Sequence, residues 1–235
     1  MCTSVLPQGA ACFLFTLTGE ADFLIIQKSL EYRDDPKIGD LDLMKTILFI
    51  TLLASAASCA AELQNWQIDP AHSASQFSVR HMGISTVRGV FEKTSGTVLY
   101  DPADPAKTQV DVSIEAASVN TRVQMRDNDL RSPNFLDVAK YPTITFKSKR
   151  TEVVGTGKLR MVGDLTIHGV SKEVTLEVEG PSEIVNDPRG TSHMGAEATT
   201  KINRKEFGVN GAAAVVGDEI TIILDVEMKR PTAAK

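Results

Sequence analysis

"TQVDVSIEA" (residues 108–116) alternates without a break: Val110, Val112 and Ile114 are apolar, whereas Asp111, Ser113 and Glu115 are polar. A period of two puts the first set on one face of a strand and the second on the other. That is the pattern of a half-buried antiparallel sheet. It recurs in "EVTLEVEG" (173–180), in "EITIILDVEMK" (219–229) and in "SHMGAEATTKI" (192–202), where Met194, Ala196, Ala198 and Ile202 share one parity. "TITFKSK" (143–149) and "GTGKLRMVGDLTI" (155–167) are weaker cases. Turn chemistry separates the runs, as in "DPADPAK" (101–107), "GPSEIVNDPRGT" (180–191) and "VVGDE" (215–219), and a hairpin turn is expected around Gly169. About eight strands result, which suits an all-β sandwich or barrel. Strands over 192–203 and 218–229 would each reach roughly 40 Å.

One segment departs from the pattern. Residues 118–141, "SVNTRVQMRDNDLRSPNFLDVAKY", show no alternation. Ser132 followed by Pro133 matches a helix start, a cap and then proline at the first helical position. Two short helices are expected here, lying across the barrel or closing one end.

The chain of 235 residues is 42% hydrophobic and 23% charged, with a formal net charge of −5, which argues against a nucleic-acid binder. Residues 44–61, "MKTILFITLLASAASCAA", have the charged start, apolar middle and small-residue end of a secretory signal peptide. The apolar run is too short to span a bilayer. Met44 is therefore read as the start, residues 1–43 as an unfolded upstream over-extension, and residues 62–235 as the exported domain. Cleavage is expected after Ala60 or Ala61; lipoprotein processing at Cys59 is the alternative. Cys2, Cys12 and Cys59 all precede the cut, so the domain is no disulfide scaffold. Residues 1–61 hold 4 basic and 7 acidic groups, leaving 21 and 23 in the exported part, a net of −2. Nothing there steers a strongly charged partner.

Chemistry, if any, would rest on the histidines. In "IDPAHSASQFSVRHMG" (68–83), Phe77, Val79 and His81 share parity, so His81 is expected on the apolar face. His72 lies beyond Pro70, where parity cannot be followed. His168 and His193 are expected to face water. No His-x-His, His-x-x-x-His or Cys-x-x-Cys occurs, and no Gly-x-Ser-x-Gly elbow, so neither a metal nor a catalytic centre is expected. Two readings of His81 stand: a core histidine satisfied by protein, or a polar contact inside a ligand cavity. For "RDND" (126–129) the choice is between a solvated helix face and lipid-phosphate recognition by Arg122, Arg126 or Arg131.

"WQIDPAHSASQFSVRHMGISTVRGVFEKTSGTV" (66–98), followed by "SVNTRVQMRDNDLRSPNFLDVAKYPTITFKS" (118–148), closely resembles the YceI family. So do "GDLTIHGVSKEVTLEVE" (163–179) and "INRKEFGV" (202–209). Asp129 stands where many members carry histidine, and "VNGAAAV" follows the Phe-Gly motif where tryptophan is frequent. The resemblance implies an all-β, extended eight-stranded antiparallel barrel of lipocalin type in the bacterial periplasm. It implies no cofactor, and as partner an isoprenoid lipid, such as a prenylated quinone or its precursor, held in a long apolar interior. It implies transient membrane contact, no nucleic acid, and a monomer or homodimer. Residues expected at the ligand are Phe77, Val79, His81, Phe91, Val112, Ile114, Arg126, Phe135, Phe146, Leu159, Met161, Leu176 and Ile222. Ala196, Ala198, Gly157 and Gly163 would leave room along the axis. The competing readings are a stress-related barrel plugged by its own side chains, and an isoprenoid hydrolase using His81 and a carboxylate. N-terminal sequencing of the exported protein should begin at Ala61 or Glu62; recovery of Met1 on a cytoplasmic product would contradict the start site and the export.

Overall fold

The computed structural model describes residues 63–231; the signal segment and residues 1–43 lie outside them. The strands are β1 (Gln64–Ile68), β2 (Ala74–His81), β3 (Ser85–Phe91), β4 (Thr94–Tyr100), β5 (Gln109–Glu115), β6 (Val119–Asn120), β7 (Thr143–Gly155), β8 (Lys158–Ile167), β9 (Val170–Glu179), β10 (Val185–Asn186), β11 (Thr191–Asn203) and β12 (Val216–Pro231). Pairing is antiparallel throughout. β1 and β2 form one long strand interrupted at residues 69–73, and β3 and β4 another interrupted at 92–93: β1 pairs with β4, and β2 with β3. Counted so, the meander runs β1/β2, β3/β4, β5, β7, β8, β9, β11, β12, and closes where β12 pairs with both β2 and β1. The result is the expected eight-stranded antiparallel barrel. Closure pairs the last long strand with the first, so the sheet has no terminal strand among its eight.

The interruptions have a physical reason. Trp66 and Ile68 of β1 face inward at even positions, while Ser75, Phe77 and Val79 of β2 face inward at odd ones. A strand cannot change faces without an irregular residue count. The break at 69–73 supplies it, and the break at 92–93 does the same between Phe91 and Val98. Ser75 Oγ and Thr94 Oγ1, both buried, bond at 2.8 Å and tie the two breaks together. A third shift in β7, between Ser148 and Arg150, moves the inward set from Ile144 and Phe146 to Thr151. Thr151 Oγ1 then donates to the Thr108 carbonyl at 2.8 Å, which satisfies it.

The expected pair of helices is one. The α-helix α1 spans Gln124–Arg131 and stops at Ser132, whose ψ of 169° is extended. Pro133 is the cause: its ring disfavours helical backbone in the preceding residue, so Ser132–Pro133 ends a helix instead of opening one. Turns follow to residue 141, and Phe135, Leu136 and Val138 pack into the barrel core. Gly157 is a second correction. It sits in the β7–β8 turn at φ +61°, where no side chain could point along the axis. His168 and Gly169, at φ 52° and 74°, make the expected tight β8–β9 turn.

Gly163 is opposite Ser148 in the β7–β8 pair, and the Phe146 ring leans over it. A Cβ there would lie 2.4 Å from the Lys147 carbonyl oxygen and 2.6 Å from the Phe146 ring. The glycine is thus filled over by its neighbour and opens no space. Gly163→Ala should cost roughly 1–3 kcal/mol by overpacking. Gly195→Ala should cost under about 1 kcal/mol, since its nearest contact would be Val226 O at 3.6 Å. Urea unfolding of both variants checks the contrast.

Candidate functional site

The inward residues enclose a cavity of about 240 Å³ along the barrel axis, apolar over almost all its wall. Ile68, Val98, Tyr100, Met194 and Met228 line one end, and Val79, Ile202, Phe207, Val209 and Val216 the other. Between Val216 and Met228 the wall follows β12 for roughly 40 Å of strand, which is about 30 Å of axis at a tilt near 40°. That volume, set against the length of wall that lines it, makes the apolar space narrow.

Phe77, Val79, Phe91, Val112, Ile114, Phe135, Phe146, Leu159, Met161, Leu176 and Ile222 all line it, as do Ala196 and Ala198. Phe77 and Phe91 pack with ring centroids 5.6 Å apart, and the Phe77 ring occupies the space that a Cβ on Gly89 would need. Two expected residues are not in the wall. His81 has the inward parity of Phe77 and Val79 but is the last residue of β2. The chain turns there through Met82 and Gly83, both at positive φ, leaving the ring half-buried at the rim. Arg126 is committed elsewhere: its Nε donates to Thr121 Oγ1 at 2.8 Å and an Nη to the Thr121 carbonyl at 2.9 Å. Asp127, also within "RDND", is buried and accepts from Thr121 N, and Arg131 donates to the Ala117 and Val119 carbonyls. Arg126, Asp127 and Arg131 thus staple α1 to the barrel, while Asn128 and Asp129 form the exposed side of the helix.

The ends differ. At one, Trp66 is wholly buried among Ile68, Val98, Met194 and Met228, with the Arg230 guanidinium 4.8 Å above its ring, a cation–π contact. At the other, Arg204 is 4% exposed and lines the cavity. Its guanidinium donates to the carbonyls of Gly217, Val209, Gly211 and Val216 at 2.8–3.0 Å, with Asp218 at 3.8 Å. Burial lowers its pKa, against the pull of Asp218. Sequence reasoning missed Arg204, although it lies within "INRKEFGV"; a charged residue after an alternating strand reads as solvent-facing. Leu130, in α1, and Leu136, in the turns after it, were missed too, because residues 118–141 show no alternation.

Among the described residues lining the cavity there is no His, Cys, Asp, Glu or Lys; its polar groups are hydroxyls such as Ser75 and Tyr100, the Gln76 amide and the Arg204 guanidinium. The remaining histidines lie elsewhere. His168 is not simply at the solvent: it is half-buried, edge-on to Tyr141 at 4.5 Å. His193, expected to be exposed, is 28% exposed and bonded through Nδ1 to Glu227 Oε1 at 2.9 Å. His72 bonds Asp69 Oδ2 at 3.0 Å. That bond is the main reason the Asp69 carboxyl is held down at about 2, with further help from Ala71 N and Lys229.

A closed antiparallel meander around an axial apolar channel defines the lipocalin-like class of small barrels. A family model described as YceI-like domain matches residues 66–228, and the chain belongs to that family. It is 38% identical over 189 residues to a UPF0312 protein of Vibrio cholerae, covering 76% of this chain and 97% of the relative. Protein YceI of Escherichia coli O157:H7 is 36% identical over 181 residues, covering 77% and 94%. Among solved structures, Burkholderia cenocepacia BcnA superposes with a TM-score of 0.59 at 26% identity, over 68% of this chain and 98% of that one. The Campylobacter jejuni YceI protein gives 0.58 at 35%, over 64% and 89%. A polyisoprenoid binding domain from Saccharophagus degradans shares the fold, with a TM-score of 0.53 at 15% identity, over 72% and 100%.

The inside and outside of the wall should behave differently. Ile114→Asp or Leu176→Asp would strand an unpaired charge in the channel and should abolish folding. Asp111 and Glu177, whose side chains are 62% and 55% exposed, make only surface pairs with Lys147 and Arg160. Their replacement by Ser should cost under about 1 kcal/mol. Thermal melts of the four variants test the assignment.

Proposed function

We propose that the protein binds one isoprenoid lipid, its tail extended along the barrel axis, and carries or stores it without altering it. The narrow apolar channel carries this reading. An extended hydrocarbon chain matches its length and bore, and each methylene transferred from water contributes about 0.8 kcal/mol. The related fold of the Saccharophagus degradans polyisoprenoid binding domain supports such a cargo. The lack of an acid, base or thiol in the wall favours carriage over hydrolysis. The export signal read at residues 44–61 supports a periplasmic place of work. A prenylated quinone or its precursor is the expected cargo.

Loading requires contact with a membrane, and one rim is suited to it. Met82 and Ile84 at the β2–β3 turn are 60% and 78% exposed, and Val215 beside them is 38% exposed. Met82 N bonds the Val215 carbonyl, so the three form one apolar tip, next to the cavity end walled by Val79 and Val216.

Lipid extraction and mass spectrometry of the purified protein should recover a prenyl lipid near one per chain. Ala198 lines the middle of the channel, and Ala198→Phe should exclude most of that lipid while the far-ultraviolet circular dichroism stays that of the barrel. A folded Ala198→Phe protein with undiminished lipid, or a wild type with none, would overturn the proposal.

A further inference from the structure

Outside the channel, on the outer face where β1/β2, β12 and β11 meet, three side chains that bind metals in other proteins converge, and a fourth adjoins one of them. Asp69 and His72 come from the break between β1 and β2, Glu227 from β12 and His193 from β11. Oxygen or nitrogen atoms of Asp69, His72 and Glu227 all lie within 4.8 Å of one another. His72 Nδ1 is 3.0 Å from Asp69 Oδ2 and 4.0 Å from Glu227 Oε1. His193 Nδ1 approaches the same Glu227 Oε1 at 2.9 Å. The geometry points to a site for one divalent transition-metal ion of the zinc class, held by Asp69, His72, Glu227 and His193.

Donor type, spacing and rigidity each support this. Two imidazole nitrogens and two carboxylate oxygens make a set that zinc and its neighbours accept. Tetrahedral donors about 2.1 Å from zinc lie about 3.4 Å apart. The contacts of 3.0 and 4.0 Å within Asp69, His72 and Glu227 bracket that spacing, and His193 reaches the set through its 2.9 Å contact with Glu227 Oε1.

The frame is fixed before any ion arrives. Asp69 N donates to the Glu227 carbonyl at 2.8 Å, Ser73 Oγ donates to the same carbonyl, and Glu227 N donates to Ser73 Oγ at 3.0 Å. Behind His193, Asp187 Oδ2 stands 3.5 Å from Nε2, while Asp187 Oδ1 accepts from Arg189 N and Thr191 N. A carboxylate on the far nitrogen of an imidazole orients it and strengthens it as a ligand. The His72 side chain is 64% exposed, so an ion can enter from solvent. One group opposes binding: Lys229 Nζ lies 3.1 Å from Asp69 Oδ1 and holds part of that carboxylate's charge.

The opposition by Lys229 gives the test a direction that a surface salt-bridge network would not show. Isothermal titration of the EDTA-stripped protein with zinc chloride should reveal one site per chain. His72→Ala and His193→Ala should each weaken it at least tenfold, while Lys229→Met should tighten it. Both histidine variants remove largely or partly exposed rings, and circular dichroism confirms that each is folded. Zinc that does not bind at micromolar concentration would overturn the proposal. So would zinc binding that both histidine variants leave unchanged.

Discussion

The architecture depends on one constraint: a closed ring of strands must keep every apolar face inward, and side chains alternate without exception along regular backbone. The chain cannot satisfy this with uninterrupted strands, because Trp66 and Ile68 occupy one parity while Phe77 and Val79 occupy the other. The irregular residues at 69–73 and 92–93 resolve the conflict, and the buried bond between Ser75 and Thr94 fixes the two breaks against each other. Because the faces are reconciled there, one continuous apolar wall runs from Met228 and Ile68 to Val216 and Val79. The channel follows from the same reconciliation.

The interior of that wall was legible in the sequence wherever a strand ran regularly. Val112, Ile114, Leu176 and Ile222 lie inside because alternation leaves them no other face. Parity failed at strand ends: His81 has the inward position but not the inward place, since the chain turns immediately after it. Local turn chemistry misled at Ser132–Pro133, where one dipeptide is compatible with either end of a helix and tertiary packing of Phe135 and Leu136 decided. Arg204 was hidden because its partners are four carbonyls, two in the loop that follows it and two at the start of β12, which no residue pattern announces. The convergence of Asp69 and His72 with Glu227 was equally invisible, since it joins the beginning of the domain to its last strand. A search for ligand spacings along the chain cannot find donors that only barrel closure brings together.

The site's chemistry is mostly the absence of polar competition. A channel whose wall offers a few hydroxyls, one glutamine and one carbonyl-capped guanidinium recognises length and apolarity before it recognises functional groups. The Phe77 and Phe146 rings lie over Gly89 and Gly163 and help fill the wall there. The outer face is a separate matter, with charges paired across neighbouring strands, as at Lys149 with Asp164 and Glu173. Inside and outside are thus chemically decoupled, so the apolar wall can change without changing how the barrel meets water.

The most direct test of the axial channel is crystallography of the protein loaded with a prenyl chain brominated at its distal end. The account predicts a single anomalous peak inside the barrel, on the axis among the side chains that line the cavity. A peak on the outer surface, or none in a crystal whose chains carry the lipid by mass, would contradict it.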